Sequence, residues 1–147
     1  MEKISQWIGI DVSKATLDVY IRPIGKAFKV ANTEIEIANL VKELQLYTLN
    51  LIVLEATGGL ETELIIQLQA ALLPVALINP RQGRDFAKAT GKLAKTDAID
   101  AEVLAHFGEA MKPQVLAIES EMARQLGELI SRRRQLVEMS TAEKKPP

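Results

Sequence analysis

Two acidic residues of this sequence follow directly after short apolar runs, where their carboxylates could take part in metal chemistry. Asp11 follows the run at residues 7–10, and Glu55 follows the run at residues 51–54. Runs of this length, rich in isoleucine, leucine and valine, predict strands buried in a sheet. Because open α/β sheets place their ligand sites at the carboxyl ends of strands, we expect Asp11 and Glu55 to lie close together.

A second acidic pair, Asp97 and Asp100, lies later in the chain, three residues apart. Side chains at this spacing face the same way on a helix. Carboxylates that converge from several elements repel one another, which raises some of their pKa values unless a cation neutralises them. Mg²⁺ or Mn²⁺ suits a site built only from oxygen ligands. The sequence therefore predicts one divalent-metal site that uses all four carboxylates.

A row of basic residues leads into the second acidic pair. Between residues 79 and 95 the chain has five cations against Asp85 alone, at helical spacings of 3, 4, 4 and 3. A solvated helix face is one interpretation, and a contact with a nucleic-acid backbone is the other. The neighbouring acids favour the second, since phosphodiester chemistry needs cations for phosphates and carboxylates for metals. This basic stripe consists of Arg81, Arg84, Lys88, Lys92 and Lys95.

The composition limits the remaining possibilities. With 147 residues, 48% of them hydrophobic, the chain can bury one core and carry an appendage. It has no cysteine, and the single His106 excludes a site built from several histidines. No apolar run approaches the ~20 residues that span a bilayer, and residues 1–6 lack the apolar core of a signal peptide. We therefore expect a soluble cytoplasmic protein without a membrane partner. Because the net charge is only −1, the local distribution of charge indicates binding partners better than the total does.

The periodicity predicts an α/β fold with a mixed sheet flanked by helices. Three antiparallel strands come first, and a strand, a helix and a strand later form a parallel pair with a right-handed crossover. This order is the plan of a ribonuclease-H-like domain, which we assign to residues 1–113. The predicted strands are 6–12, 17–21, 27–30, 51–55 and 75–78, and the predicted helices are about 33–47, 61–72, 80–89 and 96–108.

Residues 114–147 are predicted to form a linker and a long C-terminal helix at about 120–144. Met122, Leu126, Leu129 and Leu136 follow a heptad pattern, which Arg133 interrupts. Because such a stripe is too long for a small domain to bury, we expect it to pair with a second copy of the chain as a coiled coil. The chain would then be at least a homodimer.

Each acidic residue also has a simpler interpretation. A single Asp after an apolar run is often a turn residue, and Asp97 could cap the helix that follows it. Four acidic residues near the predicted site are interpreted as surface groups on strand or helix faces. They are Asp18, Glu61, Glu63 and Asp85.

Four short motifs, in this order, resemble those of the DEDD-type bacterial insertion-sequence transposases, a family that includes the pilin-gene-inverting site-specific recombinases. The motifs are WIGIDVSK at residues 7–14, LEATGG at 54–59, NP at 79–80 and KTDAIDA at 95–101. The resemblance covers residues 6 to about 112. It implies a RuvC-like catalytic domain that cleaves and exchanges DNA strands with Mg²⁺. The catalytic tetrad that it implies is Asp11, Glu55, Asp97 and Asp100.

The resemblance also implies a structured guide RNA as a partner and a C-terminal domain that supplies a serine nucleophile. That domain is missing from the sequence, which is therefore interpreted as an N-terminal catalytic fragment. Lys14 and Thr57 are further candidates for nucleic-acid binding, since Lys14 follows the first acid and Thr57 opens a glycine turn whose N–H groups suit an anion.

Three other functions stay open. An actin-like sugar kinase also opens with a strand of this kind, but it needs glycines where Val12, Ser13 and Lys14 stand. A non-catalytic scaffold for DNA or RNA would keep the basic stripe and need no metal. A nuclease of the Holliday-junction type would use the same acids without strand exchange.

Overall fold

A five-stranded mixed sheet forms the centre of the protein, with the strand order β3-β2-β1-β4-β5. The computed structural model describes residues 4–91 and 100–117. This part of the chain confirms the predicted mixed sheet flanked by helices. Its elements are β1 (Gln6–Val12), β2 (Thr16–Arg22), β3 (Lys26–Ala31), α1 (Glu34–Leu44), β4 (Leu49–Glu55), α2 (Thr62–Ala70), β5 (Val75–Ile78), α3 (Pro80–Ala89) and α4 (Ala101–Met111).

The pairing of the strands brings the first two acidic residues to one edge of the sheet. β1 pairs antiparallel with β2, and β2 with β3, whereas β1 and β4 are parallel neighbours. Ile10 lies beside Leu54 in the parallel pair. Asp11 and Glu55, the next residue of each strand, therefore lie side by side at the carboxyl edge of the sheet.

Helices cover both faces of the sheet. On one face, Ile8 and Ile10 pack into a core with the apolar stripes of α1 and α2. On the other face, Val53 and Ala76 pack with apolar residues of α3 and α4. Alternation along β1 explains this division, because Ile8, Ile10 and Val12 point to the first face and Trp7, Gly9 and Asp11 to the second.

α4 lies unusually close to the sheet. A Cβ atom built on Gly9 would lie 2.0 Å from the carbonyl oxygen of Ala101 and 2.5 Å from the backbone nitrogen of Ala105. Gly108, farther along α4, meets the side chain of Val53 in the same way, at 2.8 Å. Two glycines, one on the strand and one on the helix, thus allow α4 to pack directly on β1 and β4.

α4 begins later than its periodicity predicts. The prediction placed Asp100 inside a helix from about residue 96, but Asp100 has extended backbone angles and α4 starts at Ala101. The Asp100 side chain accepts a hydrogen bond from Val103 N at 2.9 Å and caps the helix. Asp is a favoured residue at this position because it satisfies a free N–H group of the first turn. Because Asp100 is not part of a helix, it does not lie on the helical face that it was expected to share with Asp97.

Several predictions fall on residues outside the described part of the chain. They concern Asp97, Lys92 and Lys95 within 92–99, and the long helix at 120–144. Within residues 4–91 and 100–117, no helix is both long and apolar enough to cross a membrane.

Candidate active site

Asp11 and Glu55 form the centre of the candidate site. Both side chains are partly buried at the carboxyl edge of β1 and β4. Burial raises the pKa of Asp11, and the nearby charges of Asp18 and Asp100 raise it further. Burial also raises the pKa of Glu55, as does the charge of Asp11, whereas Arg84 acts in the opposite direction. The two carboxylates therefore repel each other in a poorly hydrated place, which a cation would relieve.

Asp100 is the third predicted acid that the fold brings to this edge. Its exposed carboxylate stands at the start of α4 and acts electrostatically on Asp11. The close contact between Gly9 and Ala101 sets this arrangement, since Gly9 lies two residues before Asp11 and Ala101 directly follows Asp100. Strand packing thus positions Asp11 and Glu55, and helix packing positions Asp100.

One oxygen of Glu55 bears on whether the site suits a metal ion. Glu55 Oε2 is buried and has no hydrogen-bond partner. A buried carboxylate oxygen without a partner is unfavourable, and coordination of a cation removes that cost. All the atoms that would bind the ion are carboxylate oxygens, the ligands that Mg²⁺ and Mn²⁺ prefer. Within the described residues no three side chains already stand close enough to hold one ion, but the chemistry of the donors fits.

Asp18, predicted to be a surface residue, lines the same cavity as two of the acids. A cavity of about 450 Å³ is bounded by Asp11, Asp18, Lys29, Asp100 and other residues of β2, β3 and α4. Asp18 lies directly opposite Asp11 in the hairpin. The alternation of apolar and polar residues along β2 does not by itself predict which residues surround Asp18. The short turn between β1 and β2 was the signal that could have shown this register.

The basic stripe begins beside Glu55. Ile78, the last residue of β5, pairs with Glu55, and α3 begins two residues later. Asn79 and Gln82 form a capping box at the start of α3. Arg81, Arg84 and Lys88 are exposed along α3. Because the charge of Arg84 lowers the pKa of Glu55, this part of the stripe lies within electrostatic reach of the acids.

The loop after β4 differs from its prediction. Thr57 N and Gly59 N were expected to be available to an anion, but both donate to Glu61 Oε1, at 3.2 and 3.3 Å. The Thr57 hydroxyl also donates to this oxygen. Glu61 is therefore buried, with 8% of its surface exposed, and is not the solvated helix residue that was predicted. Burial alone would raise the pKa of Glu61, but these hydrogen bonds outweigh it and lower the pKa.

The other predicted residues are exposed or packed. Lys14 is exposed in the turn between β1 and β2, and Asp85 is exposed on α3 as expected. Glu63 is partly buried and accepts a hydrogen bond from Gln67 Nε2 at 2.8 Å. His106 packs edge to face on Phe86, with 4.9 Å between the ring centroids.

A family comparison identifies the kind of protein to which this site belongs. The sequence matches the DEDD transposase family of the IS110 type over residues 8–146. The chain belongs to this transposase family. No curated protein matches the chain significantly.

The fold is similar to that of RuvC. The structure of Thermus thermophilus RuvC in complex with Holliday junction substrate matches with a TM-score of 0.50 and 13% identity, over 84% of this chain and 89% of that one. A second Thermus thermophilus RuvC structure matches with a TM-score of 0.45 and 15% identity, over 82% and 87%. The first of these matches shows that the described part of the transposase chain has the RuvC-like fold that the resemblance implied.

Proposed function

We propose that this transposase domain cleaves and exchanges DNA strands through divalent cations held by Asp11, Glu55, Asp97 and Asp100. The buried Glu55 Oε2 without a hydrogen-bond partner is the observation that carries the proposal. It lies in a site where Asp11 is electrostatically coupled to both Glu55 and Asp100. Asp97 enters the proposal from its motif alone, since it lies outside the described residues.

The carboxylates have separate tasks in this proposal. Asp11 and Glu55, fixed on adjacent parallel strands, form the rigid part of the site. Asp100 closes it from α4, where its side chain is already oriented by the hydrogen bond from Val103 N. Mg²⁺ or Mn²⁺ at this site would activate the attacking oxygen and stabilise the leaving oxygen at phosphorus.

DNA is the proposed partner of the basic stripe. Arg81, Arg84 and Lys88 lie on α3, which starts beside Glu55, and they are exposed to an approaching backbone. Contacts of this type fix the position of a duplex and carry no sequence information. Lys14, exposed in the turn that follows β1, is proposed to add a contact beside Asp11, whereas the Thr57 N–H and hydroxyl groups already donate to Glu61. A structured guide RNA and a second copy of the chain are further proposed partners.

Calorimetric titration with Mn²⁺ tests the metal site. The double variant Asp11→Asn, Asp100→Asn is expected to lose Mn²⁺ binding while it stays folded, because the removal of like charges relieves repulsion. Asp85→Asn is the control for the loss of a carboxylate outside the site, since Asp85 is exposed on α3, and it should bind Mn²⁺ like the wild type. Unchanged Mn²⁺ binding by the double variant would refute the site. A wild type that binds DNA but no Mn²⁺ would instead be a non-catalytic scaffold.

A further inference from the structure

The residue opposite Asp11 in the first hairpin is another aspartate. Asp11 and Asp18 are direct cross-strand partners of β1 and β2. Like charges at directly opposed positions destabilise an antiparallel pair. Both side chains lie on the sheet face that α4 covers only in part, so that the pair opens into the cavity at the start of α4. The hairpin therefore carries an unfavourable charge pair inside the candidate site.

Lys29 of β3 is the cation that contacts Asp18. Its Nζ lies 3.7 Å from Asp18 Oδ1, and Lys29 is the cross-strand neighbour of Asp18 on the far side. The side chains of Lys29 and Asp18 are 62% and 44% exposed. Exposed ion pairs at such distances contribute only about 0 to 1 kcal/mol. The Asp18 carboxylate is therefore held weakly and can exchange Lys29 for another cation.

The cavity has room for a cation that could replace Lys29 beside Asp18. Asp11 of β1, Asp18 of β2 and Asp100 at the start of α4 line the same volume of about 450 Å³. Asp18 thus lines the same space as Asp11 and Asp100, and Lys29, which also lines it, reaches Asp18 from β3. Glu55, which has the buried oxygen without a partner, lies on the opposite side of Asp11.

We propose that Asp18 is a fifth carboxylate of the divalent-cation site and that Lys29 competes with the cation for it. This inference rests on the proposed function, because it needs a cation at Asp11. Asp18 supplies negative charge and an oxygen donor, directly or through a coordinated water. Lys29 neutralises part of that charge when the cation is absent, so the two residues have opposite effects on cation affinity.

The test compares Mn²⁺ affinity, measured by calorimetry on the full chain, among four proteins. Asp18→Asn is expected to weaken Mn²⁺ binding by about tenfold or more, the loss typical for a supporting ligand. Lys29→Gln is expected to bind Mn²⁺ more tightly than the wild type. Asp85→Asn is the matched control for the removal of one carboxylate and should behave as the wild type. Circular dichroism establishes that each variant is folded.

Each departure from this pattern has a defined meaning. If Asp18→Asn binds Mn²⁺ within about twofold of the wild type, a free-energy difference under about 0.5 kcal/mol, Asp18 is not part of the site. If Lys29→Gln fails to tighten binding, the competition is refuted, and this variant keeps the test decisive should Asp18→Asn not fold. A wild type that binds no Mn²⁺ overturns the proposed function itself.

Discussion

Gly9 lies so close to Ala101 that any side chain at position 9 would collide with the backbone of α4. The Cβ of an alanine there would lie 2.0 Å from the Ala101 carbonyl oxygen. Backbone atoms of a packed helix cannot move aside as the end of a side chain can. The residue type at position 9 therefore controls how closely the start of α4, and with it Asp100, approaches Asp11.

Gly9→Ala should accordingly destabilise the fold more than a matched glycine substitution on the helix. Overpacking of a tight core contact costs about 1–3 kcal/mol and occasionally more, and we expect Gly9→Ala at the upper end. Gly108→Ala is the control, because its Cβ would meet a methyl group of Val53 at 2.8 Å and no backbone atom, and alanine favours a helix more than glycine does. Urea unfolding of both variants measures the two costs. Equal costs would contradict the assigned role of the Ala101 backbone contact.

Glu61 should make the stability of the protein depend on pH. Hydrogen bonds from Thr57 and Gly59 lower its pKa below the ordinary value of 4.5. Since the folded state prefers the ionised form, the stabilisation is fully present above the unfolded pKa and is lost as pH falls through the lower folded pKa. Glu61→Gln should therefore lower the melting temperature at pH 7 by more than it does at pH values below the folded pKa.

Asp85→Asn is the control for this pH dependence. Asp85 is exposed on α3, so its substitution should leave the melting temperature nearly unchanged at neutral pH. Melting curves of the wild type and both variants across the acid range give the comparison. If the melting temperature of Glu61→Gln stays below that of the wild type by the same amount down to the lowest pH, the missing charge of Glu61 is not the cause of the destabilisation.

The sequence predicted the elements of the site better than the contacts between them. The strands that carry Asp11 and Glu55 near their carboxyl ends were predictable because continuous apolar runs define buried strands. The start of α4 was not predictable in this way, because apolar residues continue before Asp100 in the sequence. The helix begins where it does because Asp100 accepts a local hydrogen bond from Val103 N. The prediction that Glu61 is a solvated helix residue was wrong because it overlooked another local contact. The carboxylate of Glu61 accepts hydrogen bonds from Thr57 N and Gly59 N, which only the folded loop brings together.

Self-association through the C-terminal segment is a prediction from the sequence, since residues 118–147 lie outside the described part of the chain. If Leu126 and Leu129 form a heptad seam, Leu126→Lys with Leu129→Lys should make the full chain monomeric. Arg133→Leu, which completes the seam, should strengthen association. Sedimentation at about 100 μM measures both effects, because even a micromolar dissociation constant gives mostly dimer there. A monomeric wild type at that concentration would refute the coiled coil.

DNA binding should depend on the basic stripe through charge alone. Arg84 and Lys88 are exposed on α3, the helix that begins beside Glu55. Replacing both with Gln should weaken binding equally for unrelated DNA sequences, because side chains that bind phosphates do not read bases. The slope of log K against log salt should fall by about 0.9 for each phosphate that the variant no longer neutralises.

Lys42→Gln is the control for this change in charge; it removes one positive charge, whereas the α3 variant removes two. Lys42 is exposed in the last turn of α1, and α1 packs on the sheet face away from α3. If DNA lies along α3 toward the acids, this variant should keep the affinity and the salt slope of the wild type. If Lys42→Gln weakened binding by as much per charge removed as the α3 variant does, total charge, and not the basic stripe, would be what attracts DNA. An α3 variant that keeps both affinity and slope would make the stripe a solvated helix face.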